Sequence, residues 1–204
     1  RRGVAADDGG KMPPAMLYLG DNRMRLARWP NAGTISVFPK GEVLPVVRVN
    51  GEQRRSSGGI GMARIESHRP GGWKNPVDIW VNGNLGNDGE WGFTRVEKIS
   101  AGGNGIGVGP VGPRGVVAGR GHLPEFFFEN VFEELDEPNE YFIDAARGLL
   151  FFLPPPNNPD WASSTRLSWS EEPILRIDGG RYIELSGFRV EGTRADGIVV
   201  KNGL

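Results

Sequence analysis

The chain has 204 residues, and its 24 lysines and arginines nearly balance its 25 aspartates and glutamates, so the net charge is −1. This balance argues against a partner as highly charged as nucleic acid or an anionic membrane surface. The absence of cysteine excludes disulfides and thiolate metal sites, and two histidines are too few to favour a histidine-rich zinc site.

Glycine and proline occur throughout the chain. The 32 glycines and 16 prolines are interleaved with valine, isoleucine, phenylalanine and tryptophan, which predicts many short strands joined by tight turns. No apolar stretch approaches the roughly 20 residues of a membrane helix. The opening RRGVAADDGG has neither an initiator methionine nor the apolar core of a signal peptide, so we expect a processed or partial chain.

The first half of the chain predicts an antiparallel barrel or sandwich. Segments 15–20 and 24–30 flank the turn signal Asp21-Asn22-Arg23 and are interpreted as a hairpin. Apolar and polar residues then alternate in further short segments, as in half-buried strands. These segments are 34–38, 44–51, 61–67, 76–83 and 91–100.

A glycine-rich segment follows at 101–121. Within it, GVGPVG (107–112) has the G-x-G-x-x-G spacing of a dinucleotide-binding loop. Pro110 interrupts this motif, and no helix is predicted after it to direct backbone N–H groups at a phosphate. We therefore predict a loop or strand bend and no cofactor site.

Residues 123–138 predict the one short helix of the chain, with an apolar stripe at Phe128, Val131, Phe132 and Leu135 and a stop at Pro138. Beyond it, EYFID and LLFFLPP predict a β-hairpin with the tip AARG, where Gly148 supplies a positive φ. The prolines at 154–156 cannot donate to a strand ladder and end the pairing.

From residue 165 onwards the pattern changes to strands of three to five residues, each broken by Gly, Asp or Asn. This pattern predicts the first rungs of a parallel β-helix, in which no rung buries its apolar face alone. An uncovered edge invites association, so we expect further rungs or a partner chain to cover it. The candidates for inward-facing residues are Ile174, Ile177, Ile183, Leu185, Val190, Ile198 and Val200.

Three segments together resemble one family. They are LYLGDNRMRLARWPN (17–31), FFENVFEELDEPNEYFIDAARGLLFFLPP (127–155) and YIELSGFRVEGTRADGIVV (182–200). This combination is similar to the β-helix glycoside hydrolases of the α-1,3-galactosidase type and their relatives acting on α-L-fucosides or xylans. Asn139 stands where the family pattern has glycine, and Ala145-Ala146 replace a charged turn; asparagine is the next-best residue for a positive φ.

The resemblance implies an all-β fold: an antiparallel β-barrel or sandwich-like domain inserted into the start of a right-handed parallel β-helix, with one short helix. Residues 1–14 would lead into the β-helix, 15–160 would form the inserted domain, and 163–204 the first rungs. The catalytic carboxylates of the family are expected on later rungs, downstream of this chain, so no catalytic residue is assigned.

The candidate substrate-binding residues are Arg194, Asp196 and Trp29. The first two lie in a loop between β-helix strands, where a sugar contact competes with an Asp-Gly turn in which Arg194 pairs with a neighbouring acid. Trp29 either stacks on a sugar or packs the domain, with Arg28 bonding backbone carbonyls at a turn. Trp73, Trp80 and Trp91 lie among Gly and Asn, as in sugar-stacking surfaces, although alternation places Trp80 at least partly in the core.

The carboxylates offer weaker candidates. The acidic run from Glu133 to Glu140 is interpreted as a solvated face, and Asp144 as a turn cap. The oxygen-rich segment 82–89 lacks the spacing of an EF-hand loop, so we predict no metal or cofactor.

These observations predict part of a carbohydrate-active β-helix protein, secreted or in the cell envelope. Its parent would hydrolyse glycosidic bonds of a polysaccharide or glycan, while this chain alone would not catalyse. The alternative is a non-catalytic β-helix protein that acts as a carbohydrate-binding, adhesive or structural subunit of a larger assembly.

Overall fold

The computed structural model describes residues 15–36, 48–49, 52–53, 61–65, 67–74, 76, 78–84, 91–108 and 125–203. The predicted lead-in at 1–14, most of the glycine-rich segment, His122 and the greater part of the 82–89 segment lie outside these residues. The described part is almost entirely β-structure, in agreement with the predicted all-β class.

The strands are short, as the density of glycine and proline predicts. They are β1 (Met16–Leu19), β2 (Asn22–Arg23), β3 (Arg25–Leu26), β4 (Arg28–Trp29), β5 (Ile35–Ser36), β6 (Arg48–Val49), β7 (Glu52–Gln53), β8 (Gly61–Arg64), β9 (Trp80–Asn84), β10 (Trp91–Ile99), β11 (Gly105–Val108), β12 (Glu125–Glu129), β13 (Glu140–Asp144), β14 (Leu149–Phe152), β15 (Thr165–Ser168), β16 (Leu175–Asp178) and β17 (Ile198–Lys201). The helices among the described residues are α1 (Trp161–Ser164) and the 3-10 turns Arg69–Gly72 and Phe132–Glu134.

The largest sheet has seven antiparallel strands in the order β4-β12-β9-β10-β11-β8, with β5 also paired to β12. It is not closed into a barrel among the described residues, because its two end strands, β4 and β8, do not pair with each other. One side of the sheet carries the main hydrophobic core, which comprises Ile65, Trp73, Ile79, Val81, Ile106, Val108, Phe126, Phe128 and Val131.

The helix predicted at 123–138 is wrong. The segment forms β12 and then the short 3-10 turn Phe132–Glu134. Phe126 and Phe128 are buried while Phe127 between them is half-buried, so the decisive period is two residues rather than 3.6. Close pairing of β12 with β9 selects this period: Gly83 faces Phe126, and an added Cβ at Gly83 would overlap the β12 backbone.

The predicted hairpin at 140–152 is confirmed. β13 and β14 pair antiparallel, and Gly148 at the tip has φ +66°. The Arg147 backbone N–H donates to Asp144 Oδ1 (3.0 Å), so Asp144 caps the turn as expected. Asn139 adopts φ +71°, the conformation for which it was judged a tolerable substitute for glycine.

The first predicted hairpin is only partly correct. β1 turns at Gly20 and Asp21 and pairs with β2, but segment 24–30 then divides between two sheets. Leu26 in β3 pairs parallel with Tyr141, whereas Trp29 in β4 pairs with Phe128 of the seven-stranded sheet. β3 joins β13 and β14 over a second core formed by Ala15, Leu17, Leu19, Met24, Leu26, Tyr141 and Ile143.

The C-terminal part contains a parallel strand pair. β16 pairs with β17 in the register Leu175 to Ile198, and the bridge from Ser170 to Thr193 repeats the same 23-residue offset. Ile177 and Ile183 converge on Gly180, as residues of one apolar side would. Five of the expected inward residues are nevertheless exposed, because nothing among the described residues packs over them: Ile174, Ile183, Leu185, Ile198 and Val200.

Candidate functional site

Arg194 is engaged in an ion pair. Its guanidinium donates to Glu171 Oε1 at 2.7 Å, and its backbone N–H donates to Ser170 O at 2.9 Å. Glu171 lies 23 residues earlier, the same separation as in the parallel bridge between Ser170 and Thr193. This geometry agrees with the alternative in which Arg194 pairs with an acidic residue. Asp196 is exposed and directly precedes Gly197.

Trp29 packs on the core side of the seven-stranded sheet. Its ring stacks on Phe128 with centroids 6.0 Å apart and meets Trp73 edge-on at 6.4 Å. Arg28 donates from Nε to Pro30 O (2.8 Å) and from a terminal nitrogen to Gly33 O (2.6 Å), which confirms the predicted bonds to carbonyls at a turn. The structure therefore places Trp29 in the seven-stranded sheet and Arg194 in a bend of the C-terminal part, each with structural partners.

The two longest segments of the family resemblance contact each other through a charged network. Arg25 pairs with Glu137 and lies 3.1 Å from Glu140 Oε1, while Asn31 Nδ2 donates to Asp136 Oδ1 at 2.9 Å. Hydrogen bonding to Arg25 lowers the pKa of Glu137. These contacts give the two segments a structural reason to occur together, because side chains of each segment form ion pairs and hydrogen bonds with the other.

The interpretation of the acidic run as a solvated face is wrong for two of its members. Glu140 is fully buried, and its Oε2 accepts the backbone N–H groups of Asp136 and Glu137, both at 3.2 Å. Burial raises the pKa of the Glu140 carboxyl. Glu134 is 1% exposed, and its carboxylate has partners distant in sequence, as described next.

The Glu134 carboxylate joins two segments of the chain. Arg69 donates to it twice, from Nε at 2.8 Å and from a terminal nitrogen at 2.6 Å, and Trp73 Nε1 donates at 2.7 Å. The 3-10 turn Arg69–Gly72 brings both donors to the carboxylate. Such bidentate, charge-assisted bonds are strong and directional, so we assign Glu134 a structural role.

The seven-stranded sheet has a second side, opposite the main core, which is here named the outer face. It is a better candidate for a binding surface than the residues described so far, which have structural partners. Directly opposed residues of an antiparallel sheet share a face, so the register of β10, β9 and β12 defines three rows. The rows are Trp91-Asn84-Glu125, Phe93-Asn82-Phe127 and Arg95-Trp80-Glu129.

Hydrogen bonds order the centre of the outer face. Trp91 Nε1 donates to Asn82 Oδ1 at 2.6 Å, and Asn82 Nδ2 donates to Glu129 Oε2 at 3.0 Å. The chain of bonds sets the orientation of the amide, since one end must accept and the other must donate. Burial raises the pKa of the Glu129 carboxyl.

Aromatic rings surround this polar centre. Trp91 is 50% exposed, and its centroid lies 6.3 Å from that of Phe127. Arg28 belongs to β4, which pairs with β12, and its guanidinium lies 3.6 Å from the centroid of the Phe127 ring. Trp80 is buried, at 4% exposed, but on the outer face rather than in the main core, and it packs against Phe93 with centroids 5.8 Å apart.

Of the three tryptophans that the sequence suggests for sugar stacking, Trp73 lies in the main core, whereas Trp80 and Trp91 lie on the outer face. The sequence did not predict their neighbours Asn82, Phe127 and Glu129. A signal was available in β9 and β10, where every second residue from 80 to 84 and from 91 to 95 is polar or aromatic. Phe127 and Glu129 were missed because the segment was predicted as a helix, and a helix would not pair with β9.

The described residues contain no group of three or more His, Cys, Asp or Glu side chains able to hold a metal ion. Nor does this part of the chain include a helix with the length and apolar character needed to cross a membrane.

Comparisons with known proteins show a likeness of fold. No protein-family model matches the sequence, and no curated protein matches it significantly. A solved structure described as a glycoside hydrolase is similar, with a TM-score of 0.53 and 13% sequence identity. The similarity covers 81% of this chain but 28% of the neighbour, so the chain spans less than a third of that protein's length. The chain thus has a mostly β, glycoside hydrolase-like fold.

Proposed function

We propose that this chain is part of a carbohydrate-active, right-handed parallel β-helix protein whose parent hydrolyses glycosidic bonds of a polysaccharide or glycan. The observation that carries the proposal is the repeated 23-residue parallel register at β16–β17 and at Ser170–Thr193. A β-helix rung of about 20 to 25 residues produces such a repeat. The fold likeness to a glycoside hydrolase supports the same activity class.

The carboxylates required for hydrolysis lie elsewhere in this proposal. Glycosidases place two carboxyl groups about 5 Å or about 6.5–9.5 Å apart across the scissile bond. The two fully buried glutamates, Glu134 and Glu140, instead hold Arg69, Trp73 and backbone N–H groups. We therefore expect this chain to form a domain beside the groove, and later rungs to supply the acid and the base.

The apolar side of the parallel ladder is the surface on which those rungs, or a partner chain, would pack. Val200 is 60% exposed and Ile198 41% exposed in β17. A substitution of Val200 by Asp in the whole protein tests this cover. If a rung packs there, burying an unpaired carboxylate should cost about 3 kcal/mol or more. The neighbouring exposed substitution Lys201→Ser should change stability by less than about 0.5 kcal/mol, and equal effects of the two substitutions would contradict the proposed cover.

Hydrolysis by the whole protein tests the enzymatic part of the proposal. Aryl α-galactosides, aryl α-L-fucosides and xylan would be incubated with the purified protein, and the released phenol or reducing ends measured. We expect turnover of at least one of these substrates. Polysaccharide binding without turnover of any of them would favour the non-catalytic alternative, a carbohydrate-binding, adhesive or structural subunit.

The alternative has one specific observation in its favour. The structure assigns structural partners to Glu134, Glu140 and Arg194, three of the most buried charged side chains described. For either function we propose a secreted or cell-envelope location, where polysaccharides and glycans are encountered.

A further inference from the structure

We propose that the outer face of the seven-stranded sheet is a binding platform for neutral pyranose chains, with a sugar ring stacked on Trp91 beside the edge of Phe127 and hydroxyls bonded to Asn82 and Glu129. The platform would be separate from any hydrolytic groove on the β-helix. The inference takes its ligand class, carbohydrate, from the proposed function, but it does not require that the protein be a hydrolase.

The aromatic side chains Trp91 and Phe127 of this face do not pack in the main core. Phe126 and Phe128 point into the main core, so Phe127 between them must point to the other side. Trp91 keeps half of its surface exposed, and its indole N–H is held by Asn82 rather than by the core. The exposed Trp91 ring and the half-buried Phe127 ring lie side by side on this face, with centroids 6.3 Å apart and planes inclined by 48°.

The polar groups beside the rings are held in place and retain bonding capacity. Asn82 Oδ1 accepts one bond from Trp91 and, as an amide oxygen, can accept a second. Glu129 accepts from Asn82 and retains further acceptor positions on its carboxyl group. Groups that are ordered before binding lose less entropy when a ligand arrives, which favours affinity and orientation.

The combination fits a pyranose. The C–H groups on one side of a pyranose ring form an apolar surface that packs on an aromatic ring, while its hydroxyls lie at the ring edge and both donate and accept. An aromatic surface bordered by a fixed amide and a carboxyl matches these two features, in the general pattern of apolar contact with a few placed polar groups.

The charges on the face favour a neutral chain over an anionic one. Glu125 and Glu129 place two carboxyl groups on the β12 edge of the platform. Two of the described arginines lie on this face, and both have partners: Arg95 pairs with Asp78, and Arg28 donates to Pro30 O and Gly33 O and lies over the Phe127 ring. A polyuronate would therefore approach carboxyl groups with little cationic compensation.

Affinity electrophoresis of the whole protein tests the inference, with xylan and galactan as neutral probes and polygalacturonate as an anionic probe. We expect retardation by at least one neutral probe and none by polygalacturonate. Trp91→Ala should weaken binding about tenfold or more, as expected for loss of a central aromatic contact. Asn82→Ala should also weaken binding, since it removes the amide between Trp91 and Glu129.

Trp161→Ala is the matched control. Trp161 is 39% exposed in α1 and packs against Phe152, away from the outer face, so its loss should change binding less than twofold. Circular dichroism of each variant confirms that it is folded. The inference is overturned if neither neutral probe binds, if polygalacturonate binds more tightly than they do, or if Trp91→Ala has no larger effect than Trp161→Ala.

The same variants separate this inference from the proposed function. Trp91→Ala should lower activity on the polysaccharide by a larger factor than activity on a small aryl glycoside. Binding that depends on Trp91 in a protein without hydrolytic activity would refute the hydrolase and retain the platform. Hydrolysis combined with binding that does not depend on Trp91 would support the hydrolase and refute the platform.

Discussion

Removal of Arg69 should destabilise the protein more than removal of Glu134, although Arg69 is the more exposed of the two. The carboxylate of Glu134 is 1% exposed and receives three donors, two from Arg69 and one from Trp73 Nε1. The Arg69 side chain is 50% exposed. The two deletions therefore leave behind groups with unequal access to water.

The magnitudes follow from what remains unpaired. Glu134→Ala leaves the Trp73 N–H buried without its acceptor, but Arg69 regains water, so we expect a loss of about 3 kcal/mol. Arg69→Ala leaves a buried carboxylate with one bond, from Trp73, and should cost about 4 kcal/mol, near the middle of the range for breaking a buried pair. Glu134→Gln keeps an acceptor for Trp73 and should cost less than Glu134→Ala.

Urea unfolding followed by tryptophan fluorescence and circular dichroism measures these differences, provided that the two probes report one transition with an unchanged m-value. The exposed pair Glu172–Arg176, at 3.6 Å, supplies the control: Glu172→Ala and Arg176→Ala should each change stability by less than about 0.5 kcal/mol. The reasoning is refuted if Glu134→Ala costs less than about 1 kcal/mol, or if it costs clearly more than Arg69→Ala.

Two further predictions concern buried polar groups. Asn130 is fully buried at φ +59° and bonds Asp78 O (3.1 Å), Ile143 O (3.0 Å) and the Ile143 N–H (2.9 Å); Asn130→Ala should cost more than about 3 kcal/mol in urea unfolding. Asn130→Gly loses the same bonds but accepts the positive φ, so it should be about 1 kcal/mol less harmful, and equal losses would contradict this account. For Glu129, burial raises the folded pKa, so its contribution to stability is complete at acidic pH below the unfolded pKa and is lost as pH rises through the folded pKa. Glu129→Gln should therefore weaken the fall in melting temperature between about pH 4 and about pH 8, and an unchanged pH profile would show that the carboxyl is not desolvated.

Much of the local structure could be predicted from neighbouring residues. The hairpin at 140–152 follows from two apolar segments around a Gly148 tip, and it forms because the turn and its Asp144 cap need only residues within the same few positions. The bonds from Arg28 to the following carbonyls and the positive φ of Asn139 are local in the same sense. Such features depend mainly on interactions between residues that are close in sequence.

Tertiary structure decided the features that depend on distant partners. The run FFFENVF is compatible with either a helical or a strand period, and only pairing with Gly83 of β9 selects the strand. Which glutamates of the acidic run are buried depends on Arg69, 65 residues from Glu134, and on Arg25, which pairs with Glu140.

The outer face has the same origin. Trp91 and Phe127 belong to segments that share no local pattern, and β9 between them brings both to one side of the sheet, where Asn82 connects the indole to Glu129. Local patterns were thus enough to predict the β class and the hairpin at 140–152. Strand register and long-range charge pairing determined which side chains meet, because a one-residue shift in register reverses the face that every side chain of a strand occupies.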